Sequence, residues 1–234
     1  MSGILYGVGV GPGEPELITL KALRCIQESD VIILPSAPKE ECHAYRIVKE
    51  VYPEVEHKRT LCLPFPMTKD RETLERAHNE IFGQIEKLVE KGLKVAFLTI
   101  GDPGVYSTYH YIHRRMEAAG KEVEIVSGVP SFCAAAAALG ISLGDMREEI
   151  HVVPASYDIE ATMELTGTRI YMKSGKKLAR LKELLQKQAE SRKLEVYAVE
   201  NCGMAEEKRT CSLEELDTEA GYLTLVIVKD GGDC

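Results

Sequence analysis

Residues 7–13 read GVGVGPG, and the chain runs on as EPELITLKALRCIQESD over residues 14–30. Four glycines and a proline in seven residues shape backbone rather than supply side-chain chemistry. A dinucleotide loop needs G-x-G-x-x-G. Counted from Gly7 the third glycine falls on Pro12, and counted from Gly9 it falls on Glu14. A phosphate-binding P-loop ends in G-K-[ST], whereas Gly13 is followed by Glu14 and Pro15. An acidic residue at a helix start also repels the phosphate that the helix would attract. Two readings stand: close backbone approach to a group that is not anionic, or a tight strand-to-helix turn with no ligand.

Working outward, residues 4–10 form an apolar strand, and Leu17, Leu20, Leu23 and Ile26 share a face of a helix expected over 17–28. DVIILP (30–35) is a short buried strand stopped by proline. Leu74, Ala77, Ile81, Ile85 and Leu88 mark a long amphipathic helix closed by Gly92, and KVAFLTI (94–100) is another buried strand. A helix expected over 107–119 stops at Gly120. Residues 122–127, 150–154, 169–173, 195–200 and 222–228 read as further strands, with helices over 132–139 and 177–189. The later strands are less regularly separated by helices, which predicts a mixed sheet. The expected fold is α/β in two domains: 1–119, carrying the glycine-rich loops, and 120–234, carrying the mixed sheet.

Two more turns resemble the first. TIGDPGVYS (99–107) follows a buried strand and opens a helix, with Asp102 at the carboxyl end of that strand, where open α/β sheets bind ligands. SGVPSF (127–132) follows the next strand. Three such turns after three strands are expected to converge on one sheet edge and to suit a small ligand held by backbone groups.

The 234 residues carry 37 acidic and 29 basic side chains, a net charge of −8, which disfavours nucleic acid as a partner. No apolar run approaches the ~18 residues of a membrane span. MSGILYGVGV has no signal-peptide pattern, so no membrane partner and a cytoplasmic location are expected. The seven cysteines (Cys25, Cys42, Cys62, Cys133, Cys202, Cys211, Cys234) include no C-x-x-C pair and read as reduced thiols. His110 and His113 lack a third ligand, and no protein-bound metal is expected.

The order and spacing of GVGVGPGEPELITLKAL, FLTIGDPGVYS and VSGVPSF resemble the tetrapyrrole methylase family, and the likeness continues through RIYMKSG (169–175), VYAVENCG (196–203) and YLTLVIV (222–228). The resemblance implies two α/β domains, a homodimer, and S-adenosylmethionine bound folded in a cleft between the domains. LYGVGVGPGEPEL at the start, LPFPMTKD (63–70), YST (106–108), SGVPSF and HVVPA resemble the subgroup that methylates C-20 of the corrin precursor. That subgroup acts on a small-molecule tetrapyrrole, precorrin-2 or cobalt-factor II, and cobalt-factor II is favoured here. Any cobalt would then arrive inside the substrate.

Matched to the family pattern, Pro12 borders the methyl donor, and Gly11 and Gly13 let the chain pass close to it. Ile100, Gly101 and Asp102 match its contact strand end, with Val105 and Tyr106 just beyond. Pro130 and Ser131 match the next contact turn, and Met172 a hydrophobic contact. Ala198 and Thr224 lie on strands that meet the adenine in relatives. No catalytic residue is fixed; Asp102 and Tyr106 are the candidates. Asp102 equally suits a turn or helix cap, Ser131 a helix cap, and Met172, Ala198 and Thr224 core packing. Arg46, Lys69, Arg71, His113, Arg114, Lys173 and Lys176 are candidates to meet substrate carboxylates. The rivals are methylation at another ring carbon or on a macromolecule, an α/β oxidoreductase, and a non-catalytic tetrapyrrole or S-adenosylmethionine binder.

Overall fold

Strands buried on both faces alternate their side chains between two helical layers, and this alternation organises the first half of the chain. The computed structural model describes residues 3–66, 68, 70–154, 158–173 and 175–231, with no side chain described for Lys176. Five parallel strands run in the order β3-β2-β4-β1-β5: β1 (Ile4–Gly9), β2 (Val31–Leu34), β3 (Arg59–Cys62), β4 (Lys94–Thr99) and β5 (Glu122–Val126). Val8, Ile32, Leu34, Ala96 and Leu98 face α1 (Leu20–Glu28) and α2 (His43–Val51). Leu5, Val31, Ile33, Val95 and Phe97 face α3 (Arg71–Glu90) and α4 (Tyr109–Ala118).

Two contact units divide the chain, one through Pro130 and one from Ser131. The expected cut at 119/120 falls before β5, but β5 pairs in parallel with β1, so it belongs to the first unit. The second unit holds α5 (Ser131–Leu139), β6 (Ile150–Pro154), β7 (Thr168–Met172), α6 (Leu178–Ala189), β8 (Leu194–Glu200), β9 (Lys208–Thr210) and β10 (Thr224–Asp230). Its sheet is mixed, in the order β6-β7-β10-β8-β9, with β6 and β7 parallel and the other pairs antiparallel. Tyr171, Ala198, Val226 and Val228 pack with Leu178, Leu181 and Leu185 of α6.

The helix expected over 17–28 is split. Pro15 starts a 3-10 turn (Pro15–Leu17), and α1 begins only after Thr19, whose hydroxyl accepts from the Ala22 amide at 3.1 Å. Leu20 is consequently 80% exposed instead of facing the core. The elements α2, β3 and β9 had no sequence reading. The expected long helix is present as α3, and Gly92 follows it at φ 78.

Candidate functional site

Because β4, β1 and β5 are adjacent and parallel, the turns that follow them emerge at one sheet edge. There they are knotted together by backbone. Gly11 and Gly101 exchange hydrogen bonds, N of Gly101 to O of Gly11 at 2.7 Å and N of Gly11 to O of Gly101 at 3.3 Å. Both take left-handed backbone (φ 81 and 72), which glycine adopts without penalty. The third turn closes on the other two: a Cβ on Gly9 would lie 2.6 Å from the Gly128 nitrogen and 2.6 Å from the Gly101 carbonyl oxygen. The tight approach that the glycines permit is thus, at Gly9, an approach of turn to turn. Gly7 serves packing instead, since a Cβ there would enter the Tyr109 ring.

Asp102 fastens this knot. Its Oδ1 accepts from the Gly104 amide at 2.6 Å, and its Oδ2 accepts from the Gly128 amide at 2.9 Å. Thr19 adds a second tie, its hydroxyl donating to the Ser127 carbonyl at 3.2 Å. On the far side of the GDPG turn, the Thr99 and Ser107 hydroxyls pair at 3.0 Å, and Ser107 Oγ accepts from the Tyr109 amide at 3.2 Å. Neither hydroxyl tie was read from sequence: each joins residues whose side chains look like ordinary strand-end or cap positions.

The structure therefore gathers Ile100, Gly101, Asp102 and Val105 beside the glycine loop that carries Pro12, with Pro130 closing the third turn. Pro12 is buried and Tyr106 is exposed. Ser131 opens α5 in the second unit. There Ala198 and Thr224 share the sheet face toward α6, and both line a small open recess with Glu200, Lys208, Thr210, Leu216, Asp217 and Ala220. Met172 does not join them. It pairs with Leu225, one position out of step with Thr224, and so occupies the opposite face.

The candidate basic lining is scattered. Arg46 is exposed on α2, Arg71 opens α3, and Arg114 is exposed on α4. His113, on α4, is half-buried, its Nδ1 3.1 Å from the Tyr109 hydroxyl. Burial lowers its pKa, with His110 adding to the shift and Glu117 opposing it. Lys173 follows β7 with left-handed backbone and its ammonium 5.9 Å from the Tyr222 ring centre; burial lowers its pKa. Lys69, like Cys234, lies outside the described residues, as does the Lys176 side chain.

Among the described residues no group of three or more His, Cys, Asp or Glu side chains is placed to hold a metal. Burial pushes the Cys25 and Cys202 thiols up to about 11, so neither offers a thiolate at neutral pH. Among the described residues no helix is long and apolar enough to cross a membrane. The arrangement is a surface of backbone groups and small side chains, suited to orienting ligands rather than attacking them.

Known proteins are similar to this chain in sequence and in fold. A "Probable cobalt-precorrin-2 C(20)-methyltransferase" of Methanocaldococcus jannaschii is 39% identical over 171 residues, 73% of this chain and 72% of that protein. The "Cobalt-precorrin-2 C(20)-methyltransferase" of Salmonella typhimurium is 32% identical over 189 residues, 79% of this chain and 78% of that protein. The uroporphyrin-III C-methyltransferase of Thermus thermophilus, solved with S-adenyl homocysteine, superposes with a TM-score of 0.71 at 21% identity, covering 97% of both chains, and so shares the fold. A family model described as Tetrapyrrole (Corrin/Porphyrin) Methylases matches residues 4–217, a span that takes in all three knotted turns and the recess residue Ala198. The chain belongs to the tetrapyrrole (corrin/porphyrin) methylase family.

Proposed function

We propose that the protein transfers the methyl group of S-adenosylmethionine to C-20 of a cobalamin-pathway tetrapyrrole, with cobalt-factor II favoured over precorrin-2. The reading is carried by likeness to the two cobalt-precorrin-2 C(20)-methyltransferases over most of their length. The knot of three turns in the first unit is the candidate contact surface for the donor. Pro12, Gly101 and Val105 offer backbone and apolar contact there, and Ala198, Ala220 and Thr224 present small side chains in the recess of the second unit.

S-adenosylmethionine supplies an electrophilic sulfonium methyl, and the electron-rich meso carbon of the macrocycle supplies the electron pair. In-line displacement forms the new C–C bond as the S–C bond breaks, and the C-20 proton leaves afterwards. The protein's share is orientation. Fixing two reactants in attack geometry is worth up to ~7–11 kcal/mol. The hydrogen-bonded turns provide rigidity for that purpose without a nucleophilic side chain. Exclusion of water favours a step in which the donor's charge disappears. Pro130 and Ser131 belong to the third turn. The same reading carries a homodimer and a cytoplasmic setting, the first tested by sedimentation of the purified chain.

The test is anaerobic incubation with S-adenosylmethionine and cobalt-factor II or precorrin-2. The reading expects one methyl group added per macrocycle, faster with the cobalt form. Binding of S-adenosylhomocysteine with no methylation of either tetrapyrrole would favour a non-catalytic binder instead.

A further inference from the structure

Tyr106 is held in a conformation that a tyrosine disfavours. Its φ is 47, in the left-handed region, where Cβ crowds the following carbonyl oxygen. Burial does not compensate the strain, because the residue is 45% exposed. Tyr109, three positions on, is fully buried. The turn leaves Tyr106 no freedom to relax. On one side Asp102 accepts from the Gly104 amide through Oδ1 and from the Val105 amide through its carbonyl at 3.1 Å. On the other, Ser107 is bound to Thr99 and to the Tyr109 amide. Glycine would meet the same backbone requirement without penalty, so the backbone alone does not account for a tyrosine here. Strain of this kind persists where the surroundings over-determine it, and it concentrates at ligand sites.

We infer that Tyr106 is a substrate-contact residue whose ring is presented to the flat, conjugated face of the macrocycle, not to the methyl donor. This rests on the tetrapyrrole methylase reading above. The chemistry favours the macrocycle because an exposed aromatic ring offers large area at little rotamer cost and stacks on another π-surface. The donor is met by backbone and small groups of the knotted turns. The one donor feature that an aromatic ring would attract is the sulfonium charge. The test must therefore separate charge recognition from stacking.

Tyr106→Gly and Tyr106→Phe are compared with wild type in four readouts: thermal midpoint, affinity for S-adenosylmethionine, affinity for S-adenosylhomocysteine, and affinity for cobalt-factor II by anaerobic absorbance titration. The titration needs no turnover. Tyr106→Gly is expected to keep its thermal midpoint, since relief of the left-handed strain offsets the entropy that glycine adds to the unfolded chain. It should bind both nucleosides within about twofold of wild type and bind cobalt-factor II at least about tenfold more weakly, a loss of one stacked ring. Tyr106→Phe should recover that affinity. A lowered thermal midpoint in Tyr106→Gly would make the residue structural and overturn the inference. So would unchanged macrocycle affinity, or a loss confined to the charged donor. If wild type binds cobalt-factor II but methylates a carbon other than C-20, the functional reading falls while the ring's role is still decided by the titration. If wild type does not bind a tetrapyrrole, both fall.

Discussion

Asp102 commits both carboxylate oxygens to backbone amides, one in its own turn and one in the turn after β5. It is a clasp between turns before it is anything else. Charge-assisted hydrogen bonds of this kind are worth about 1.5–3 kcal/mol each, and losing the acceptor leaves two amides to find other partners. Asp102→Ala is therefore expected to lower unfolding free energy by about 1–3 kcal/mol and also to weaken S-adenosylhomocysteine binding. Denaturant midpoints and calorimetric titration check the pair. Unchanged stability would deny the clasp. Gly128→Ala tests the same knot sterically: its new methyl would meet the Gly101 carbonyl oxygen, and a cost of about 1–3 kcal/mol is expected from overpacking. The sequence displayed Asp102 and the glycines plainly, and it placed them at a strand end. It could not display their partners, because the Asp102–Gly128 bond spans 26 residues and exists only once β1 and β5 are paired.

Helix α1 shows how a short element ties into the knotted turns. Thr19 caps it and also donates to the Ser127 carbonyl, so one hydroxyl starts a helix and holds the third turn. Asp70 caps α3 by accepting from the Thr73 amide at 2.9 Å and serves as a matched control. Thr19→Ala and Asp70→Ala should each cost about 0.5–2 kcal/mol, the usual worth of an N-cap. Only Thr19→Ala should also weaken S-adenosylhomocysteine binding; equal loss in both would deny Thr19 a part in the site. Buried strands such as KVAFLTI and the amphipathic α3 were legible because their periodicity is long and unmixed. The start of α1 was misplaced because Pro15 and Thr19 give two competing start signals within one turn. Helix α2 and strand β3 went unread; β3 is a partly exposed edge strand whose RTLC has no clear alternation. The same edge-strand weakness hid β9. In the second sheet, Met172 and Ala198 looked alike as small-molecule contacts, but register places them on opposite faces, a fact that pairing alone decides.

The chain as a whole should be sensitive to mild acid. Burial lowers the pKa of His78, with Arg115 adding to the effect, and burial lowers that of His113. A histidine whose folded pKa lies below the ordinary 6.5 binds fewer protons folded than unfolded, so its stability contribution is complete above pH 6.5. That contribution is lost as pH falls from there through the folded pKa. Glu56 beside Lys49 and Glu160 beside Arg180 are lowered from 4.5, so their losses come at lower pH. The thermal midpoint is accordingly expected to fall between about pH 7.5 and about pH 5.5, and His78→Phe should flatten that slope. A slope unchanged in His78→Phe would clear this histidine of the effect. The central claim concerns chemistry, and isotope labelling tests it most directly. S-adenosylmethionine carrying a 13C-methyl group is incubated anaerobically with cobalt-factor II and the purified protein, and the label is located in the product by NMR. The account predicts a single labelled methyl on C-20. A label on any other carbon, or a macrocycle recovered unlabelled, would contradict it.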